Sequence, residues 1–123
     1  MEHLVLGKLG ERYAARYLVK QGCAVLERNY KTSVGEIDII AKQDDTLVFI
    51  EVKTRSSGQY GSPLEAVDTR KQRQIIRTAY VFLKDRDAMQ TVCRFDVLAI
   101  CIGFGGQVSE VEWIQSAFEE PGF

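Results

Sequence analysis

From about residue 3 to Gln21 the apolar positions Leu6, Leu9, Tyr13, Tyr17 and Leu18 recur at helical spacing, and Gly22 stands where a helix ends. At about 100° per residue, Gly7, Gly10 and Ala14 form a ridge of small residues beside that stripe, which would let the helix lie close against a sheet. Glu11 borders the ridge. The period then changes to that of strands. CAVLERNY, GEIDIIAK and LVFIEVKTR read as three strands, the last two joined through the turn-forming QDDT as a hairpin. A second helix is expected near residues 68 to 86 with Ile75, Ile76, Ala79, Phe82 and Leu83 inward. Its start is open: Ser62, Pro63 and Glu65 have the spacing of a capped first turn, while Asp68 or Thr69 would serve equally. CRFDVLAICI follows as a strongly apolar strand, and VSEVEWI alternates as a last strand at the sheet edge with its glutamates outward.

This α-β-β-β-α-β-β order, with no repeat or linker, predicts one α/β domain over residues 1–123. A strand, helix, strand succession implies a parallel crossover, so the sheet is expected to be mixed, with a helix on each face.

Pairing the hairpin symmetrically about Asp44 and Asp45 sets Asp38 across from Glu51, Ile40 across from Phe49 and Glu36 across from Lys53. Alternation then puts Glu36, Asp38, Ile40, Phe49, Glu51, Lys53 and Arg55 on one charged face, with Ile37, Ile39, Val48, Ile50 and Val52 on a core face. Directly opposed residues have Cβ atoms about 5 Å apart, where like charges repel. A hard divalent ion such as Mg²⁺ or Mn²⁺ resolves that conflict, since it takes oxygen ligands and is commonly shared between one or two carboxylates and a substrate phosphate. Lys53, on the same face, can hold a phosphate oxygen or orient an attacking water. The alternative is a surface network in which Glu36 pairs with Lys53 and Asp38 is simply solvated.

Composition narrows the classes. The N-terminal segment is interrupted by charges every few residues and offers neither a signal peptide nor a membrane span, so a cytoplasmic protein with no membrane partner is expected. Cys23, Cys93 and Cys101 form no C-x-x-C pair and the only histidine is His3, which argues for buried reduced thiols and against zinc. The formal net charge of -1 gives no general attraction to nucleic acid, but residues 52 to 86 hold eight Lys or Arg against three Asp or Glu, and residues 87 to 123 hold one against six. Arg55, Arg70, Lys71, Arg73 and Arg77 are the candidate phosphate contacts. Several of them crowd the first turns of the second helix, where positive charge opposes the helix dipole. Gly58, Tyr60, Gly61 and Ser62 belong to a connection that could adjust to a substrate. Arg94 and Asp96 share a side of a buried strand and read as an internal ion pair, and Trp113 reads as core or interface.

At the hairpin the chain resembles a known family. G-E-I-D-I-I-A followed by V-F-I-E-V-K-T-R is similar to the D-(x)n-E-x-K core of the PD-(D/E)XK nuclease superfamily, although Ile37 stands where that superfamily's name has proline. The finer resemblance is to the YraN-like family of small bacterial proteins. It runs through Gly10, Glu11 and Ala14, the L-E-R-N of Leu26 to Asn29, G-E-I-D, E-V-K-T-R, Y-G-S-P-L-E-A-V, K-Q-R and R-F-D-V. The resemblance implies a three-layer restriction-endonuclease-like domain with Asp38 and Glu51 as metal ligands and Lys53 as the catalytic lysine. It also implies that Glu11 matches the helix-one glutamate that completes the site in Holliday-junction resolvases. The function so implied is a Mg²⁺- or Mn²⁺-dependent endonuclease acting on DNA, with branched or recombination intermediates as candidate substrates. RNA remains open as the nucleic acid. A homodimer would suit a junction, which presents two equivalent scissile positions. Because the fold also serves as a scaffold, a catalytically silent nucleic-acid-binding or assembly module is the competing class, and a structural protein with only a charged surface is a third.

Overall fold

The computed structural model describes residues 3–56 and 61–120, with side chains from residue 4 onward. His3 as a side chain, Gly58 and Tyr60 lie outside the described residues. Helix α1 (His3–Lys20) is followed by strands β1 (Ala24–Lys31), β2 (Glu36–Gln43) and β3 (Thr46–Ser56), helix α2 (Thr69–Asp85), and strands β4 (Cys93–Ile102) and β5 (Val108–Phe118). The strands form one sheet in the order β1-β2-β3-β4-β5, antiparallel except for the β3–β4 pair. The sheet is mixed with a helix on each face, as the element order predicts, and this is the three-layer restriction-endonuclease-like fold that the resemblance implies.

Local chemistry sets the boundaries. Gly22 turns α1 off at φ 95°, and the Cys23 N–H donates to the Leu18 carbonyl at 2.9 Å, closing the last turn. Both candidate caps before α2 are used. The Ser62 hydroxyl accepts from the Leu64 N–H over a short 3-10 turn, Pro63–Ala66, and the Asp68 carboxylate accepts from the Lys71 N–H at 2.8 Å to start the long helix. The hairpin turn is the two residues Asp44 and Asp45, with Asp44 at φ 53°.

Two apolar layers sandwich the sheet. Under α2, Ile37, Ile40, Leu47, Phe49, Val97 and Phe118 pack against Ile75, Ile76, Ala79, Phe82 and Leu83. Under α1, Ala14 and Leu18 cover Ile39, Ala41, Val48, Ile50, Leu98 and Ile100. The hairpin therefore has no wholly charged face. Ile40 and Phe49, expected beside the acids, are fully buried beneath α2. Central strands covered on both sides read as near-continuous apolar runs. Along β3, charge on the α2 side begins only at Glu51.

Asp96 is fully buried and saturated. Its carboxylate accepts from Arg94 Nε at 2.9 Å, Trp113 Nε1 at 2.8 Å and the Ser116 N–H at 2.9 Å. This is the internal ion pair expected from the sequence, and it fixes Trp113 in the layer under α1, with its ring edge-on to Tyr17. All three cysteines are free, but only Cys23 is buried; Cys93 and Cys101 are half-buried, because they lie toward the two ends of β4, whose middle is buried. Among the described residues no helix is long and apolar enough to cross a membrane.

Candidate active site

The hairpin register agrees with symmetric pairing about the turn from Gln43↔Thr46 as far as Ile39↔Ile50, where the β2–β3 ladder ends. Beyond that rung β2 stays with β1, down to Lys31↔Glu36, while β3 stays with β4, up to Ser56↔Ile102. The sheet thus splits into two wings, and the candidate site lies in the notch between them. The split overturns the expected Glu36–Lys53 pairing, because Glu36 leaves with β1 and Lys53 with β4. It also removes the regular rung that would have set Asp38 against Glu51. Asp38 reaches across instead, its Oδ2 accepting the Val52 N–H at 2.8 Å.

Leu6, Gly7, Glu11, Asp38, Glu51, Val52, Lys53, Thr54 and Lys71 line this notch, a recess of about 260 Å³. Helix α1 can approach because Gly10 has no side chain: a Cβ there would lie 1.9 Å from Thr54 Oγ1. Gly7 does not share that close packing, and a Cβ there would meet nothing within 4 Å. Glu11 is therefore carried to the rim of the notch on a helix packed directly on β3.

The electrostatics centre on Glu51, which is 5% exposed. Burial, a side-chain hydrogen bond with Asp38 and the charge of Asp38 push its carboxyl up to about 8, against the pull of Lys71 and Lys53. Near neutral pH the two acids share a proton, with Glu51 as the donor. Lys53 Nζ lies 3.9 Å and Lys71 Nζ 3.6 Å from the same oxygen, Glu51 Oε2. Burial and the charge of Asp38 also raise Glu11, opposed by Arg28 and by a hydrogen bond from Asn29.

Two acids forced together on a proton, with lysines beside them, are a donor set suited to a hard divalent ion, which would replace the shared proton. Among the described residues no third acid, histidine or cysteine joins them closely enough to make a three-ligand group. Asp38 and Glu51 alone would hold the ion, as is usual for Mg²⁺ completed by water and phosphate. Glu11 stays at the rim, engaged by Asn29.

The candidate phosphate contacts separate into three groups. Lys71 turns into the notch and belongs with Glu51. Arg70, Arg73 and Arg77 stand exposed on the outer side of α2, opposite its apolar face, with no ion pair among the described residues. Arg55 donates to the Gly61 carbonyl, just before the Ser62 cap. Grouping Lys71 with the arginines missed its helical phase. It lies about 100° from Arg70, on the row it shares with Gln74 and Thr78 at the border of the apolar stripe. Gly35 packs against that row, where a Cβ would lie 2.6 Å from Gln74.

A larger cavity, about 540 Å³, opens between the C-terminal half of α2 and the ends of β4 and β5. Its polar groups are satisfied locally, Tyr80 by Glu120 and Cys93 by the Thr91 carbonyl, and no pair of acids with lysines reaches it. Size alone does not mark the chemistry here.

Comparison with known proteins identifies the family. Residues 10–100 match the family model described as uncharacterised protein family UPF0102. Proteins bearing that family's name are similar over nearly the whole chain. One from Dictyoglomus turgidum is 42% identical, covering 96% of this chain and 100% of its own. One from Geobacter metallireducens is 46% identical over 93% and 92%, and one from Rhodococcus jostii 47% identical over 94% and 98%. A solved structure of Pyrococcus furiosus SfsA in complex with Ca²⁺ aligns at a TM-score of 0.36 and 11% identity, over 93% of this chain and 64% of that one. The chain belongs to the UPF0102 family.

Proposed function

With that family membership as the premise, we propose that the protein is a divalent-metal-dependent endonuclease acting on DNA, with branched or recombination intermediates as its substrate class. The observation that carries the reading is the buried, proton-sharing pair Asp38–Glu51 with Lys53 and Lys71 converging on one Glu51 oxygen. Such an arrangement is costly to fold and useful for phosphate chemistry.

Asp38 and Glu51 would hold Mg²⁺ or Mn²⁺, which supplies charge neutralisation at the scissile phosphate and a more acidic water. The chain's own residues do the remainder. Glu51 gives up its proton as it ionises, and Lys71 balances the charge so created, leaving Lys53 free to turn toward a phosphate oxygen or to align the attacking water. Val52 keeps Asp38 in place through its backbone N–H, so the ligand does not have to be ordered on binding. Glu11, at the rim on α1 with its carboxyl raised, would accept a proton from water. Exposed Arg70, Arg73 and Arg77 would carry flanking phosphates along the outside of α2.

The test is cleavage of a panel of branched, single-stranded and duplex DNA with Mn²⁺ or with chelator, wild type beside Asp38→Asn, together with calorimetric titration of Mn²⁺. Metal-dependent nicking by the wild type alone is expected. Binding of DNA without cleavage in any metal would favour a silent binding module, and absence of Mn²⁺ binding with and without DNA would sink the catalytic reading.

A further inference from the structure

We infer that Asn29, through its left-handed backbone, is the positioning residue that turns Asp38 into the notch. The inference rests on the proposed role of Asp38 and concerns how the fold presents that carboxylate. Residues two apart in a strand share a face. In β1 this fails at the bulge between Val25 and Glu27 and again just past Arg28. Arg28 pairs with Ile39 and acts on Glu11 of α1, whereas Tyr30 pairs with Ile37 and lies edge-on against Phe82 of α2 at 5.4 Å. In β2 it fails at the facing place: Ile37 packs in the layer under α2, and Ile39 in the layer under α1. Both strands change face together between the pairs Arg28↔Ile39 and Tyr30↔Ile37, the step at which Asn29 and Asp38 stand.

The cause is visible on the β1 side. Asn29 has φ 52°, a conformation that is uncommon outside glycine and that asparagine tolerates better than most residues. Asn29 is exposed, so packing does not impose the conformation by burying its side chain. A residue in this region re-aims the strand, and β2, paired to β1 on both sides of that step, must follow. That swivel reaches the site. Where β2 turns, its ladder to β3 ends, and the Asp38 carboxylate takes the Val52 N–H in place of a backbone rung. Without the swivel, Ile37 and Ile39 would share a face and Asp38 would stand on the α2 face beside Ile40, out of the plane of the ladder and away from the Val52 N–H.

The test reads the Asp38–Val52 bond directly. Amide hydrogen exchange at Val52, with Ile50 as the internal reference, is measured by NMR in metal-free wild type, Asn29→Gly, Asn29→Ala and Asn29→Val. A Mn²⁺-induced thermal shift is measured on the same samples. Glycine keeps the left-handed conformation and should retain both Val52 protection and the metal shift. Valine, which is strained there, should speed Val52 exchange at least tenfold relative to Ile50 and lose most of the metal shift. Alanine should fall between, and it carries the test if the valine variant does not fold. Val52 protection unchanged in both the alanine and valine variants would overturn the inference, as would loss of protection in the glycine variant. A wild type that protects Val52 yet neither binds Mn²⁺ nor cuts DNA would overturn the nuclease reading while leaving the positioning of Asp38 standing.

Discussion

Replacing Glu51 by Gln tests the proton-sharing pair in the metal-free protein. Glu51 sits near pH 8 in the fold against an ordinary value of 4.5, so between those limits the native state holds a proton that the unfolded chain has released. Stability is then fully present below about pH 4.5 and is lost as pH rises through 8, because the folded state must either keep the proton against the solution or ionise a buried acid. Each unit of displacement is worth about 1.4 kcal/mol, which sets a ceiling on the order of 5 kcal/mol for the whole window. Water entering the notch on ionisation would return part of it. The glutamine of Glu51→Gln presents an amide donor to Asp38 in nearly the same shape and has nothing to titrate. In urea denaturation with chelator from pH 5 to 9, the wild type should lose stability progressively while Glu51→Gln stays nearly flat and exceeds it at pH 9. Saturating Mn²⁺ should reverse the comparison, since an ion bound only by the native state stabilises it by mass action and needs the carboxylate. Equal pH dependence in the two proteins would refute the assignment of the shared proton to Glu51.

Asp38→Asn should leave metal-free folding nearly intact, because an amide oxygen can still accept the Val52 N–H, while abolishing both the Mn²⁺ thermal shift and any nicking; Asp38→Ala should cost about 1–3 kcal/mol in denaturation for the amide left unpaired. Replacing Arg70, Arg73 and Arg77 together by Ala should weaken DNA binding and reduce the magnitude of the salt slope by about 0.9 per lost phosphate contact, measured by anisotropy across a salt series; an unchanged slope would make the outer face of α2 mere solvated surface. Asp96→Ala should be the most damaging change away from the notch, costing about 3–5 kcal/mol by leaving Arg94 uncompensated, and should alter Trp113 fluorescence while folded molecules keep their metal response.

Much of this architecture is legible in the chain because local chemistry specifies it. Two aspartates at the hairpin turn and a period of two determine which residues face each other between Ile39 and Ile50, and Gly22 and Asp68 mark helix boundaries that the fold uses. The Arg94–Asp96 pair is legible because a buried strand tolerates charge only when it is matched. What escapes is decided by partners distant in sequence. No property of Glu36 or Lys53 announces that β1 will hold one and β4 the other, so extending the hairpin register past its last rung sets together two residues that the fold separates. Lys71 is recoverable from helical phase. Asn29 is a weaker signal, an asparagine in the middle of an otherwise ordinary strand, where that residue is disfavoured unless the backbone turns.

The same split that defeats the local reading explains how two acids come to lie together. In a continuous antiparallel ladder, Asp38 and Glu51 would be fixed as a repelling pair with nothing between them. Parting β2 from β3 at Ile39 and Ile50 opens a recess beside them, brings Glu11 from one helix and Lys71 from the other, and lets Asp38 anchor on Val52 rather than on its own strand's ladder. Each helix reaches the notch by close approach at a glycine, α1 through Gly10 against Thr54 and α2 through Gly35 against Gln74. Enlarging either glycine would therefore push a helix outward and carry Glu11 or Lys71 away from Glu51, while the apolar layers farther along the sheet stayed packed. The site depends on backbone approach at a few positions as much as on its charged residues.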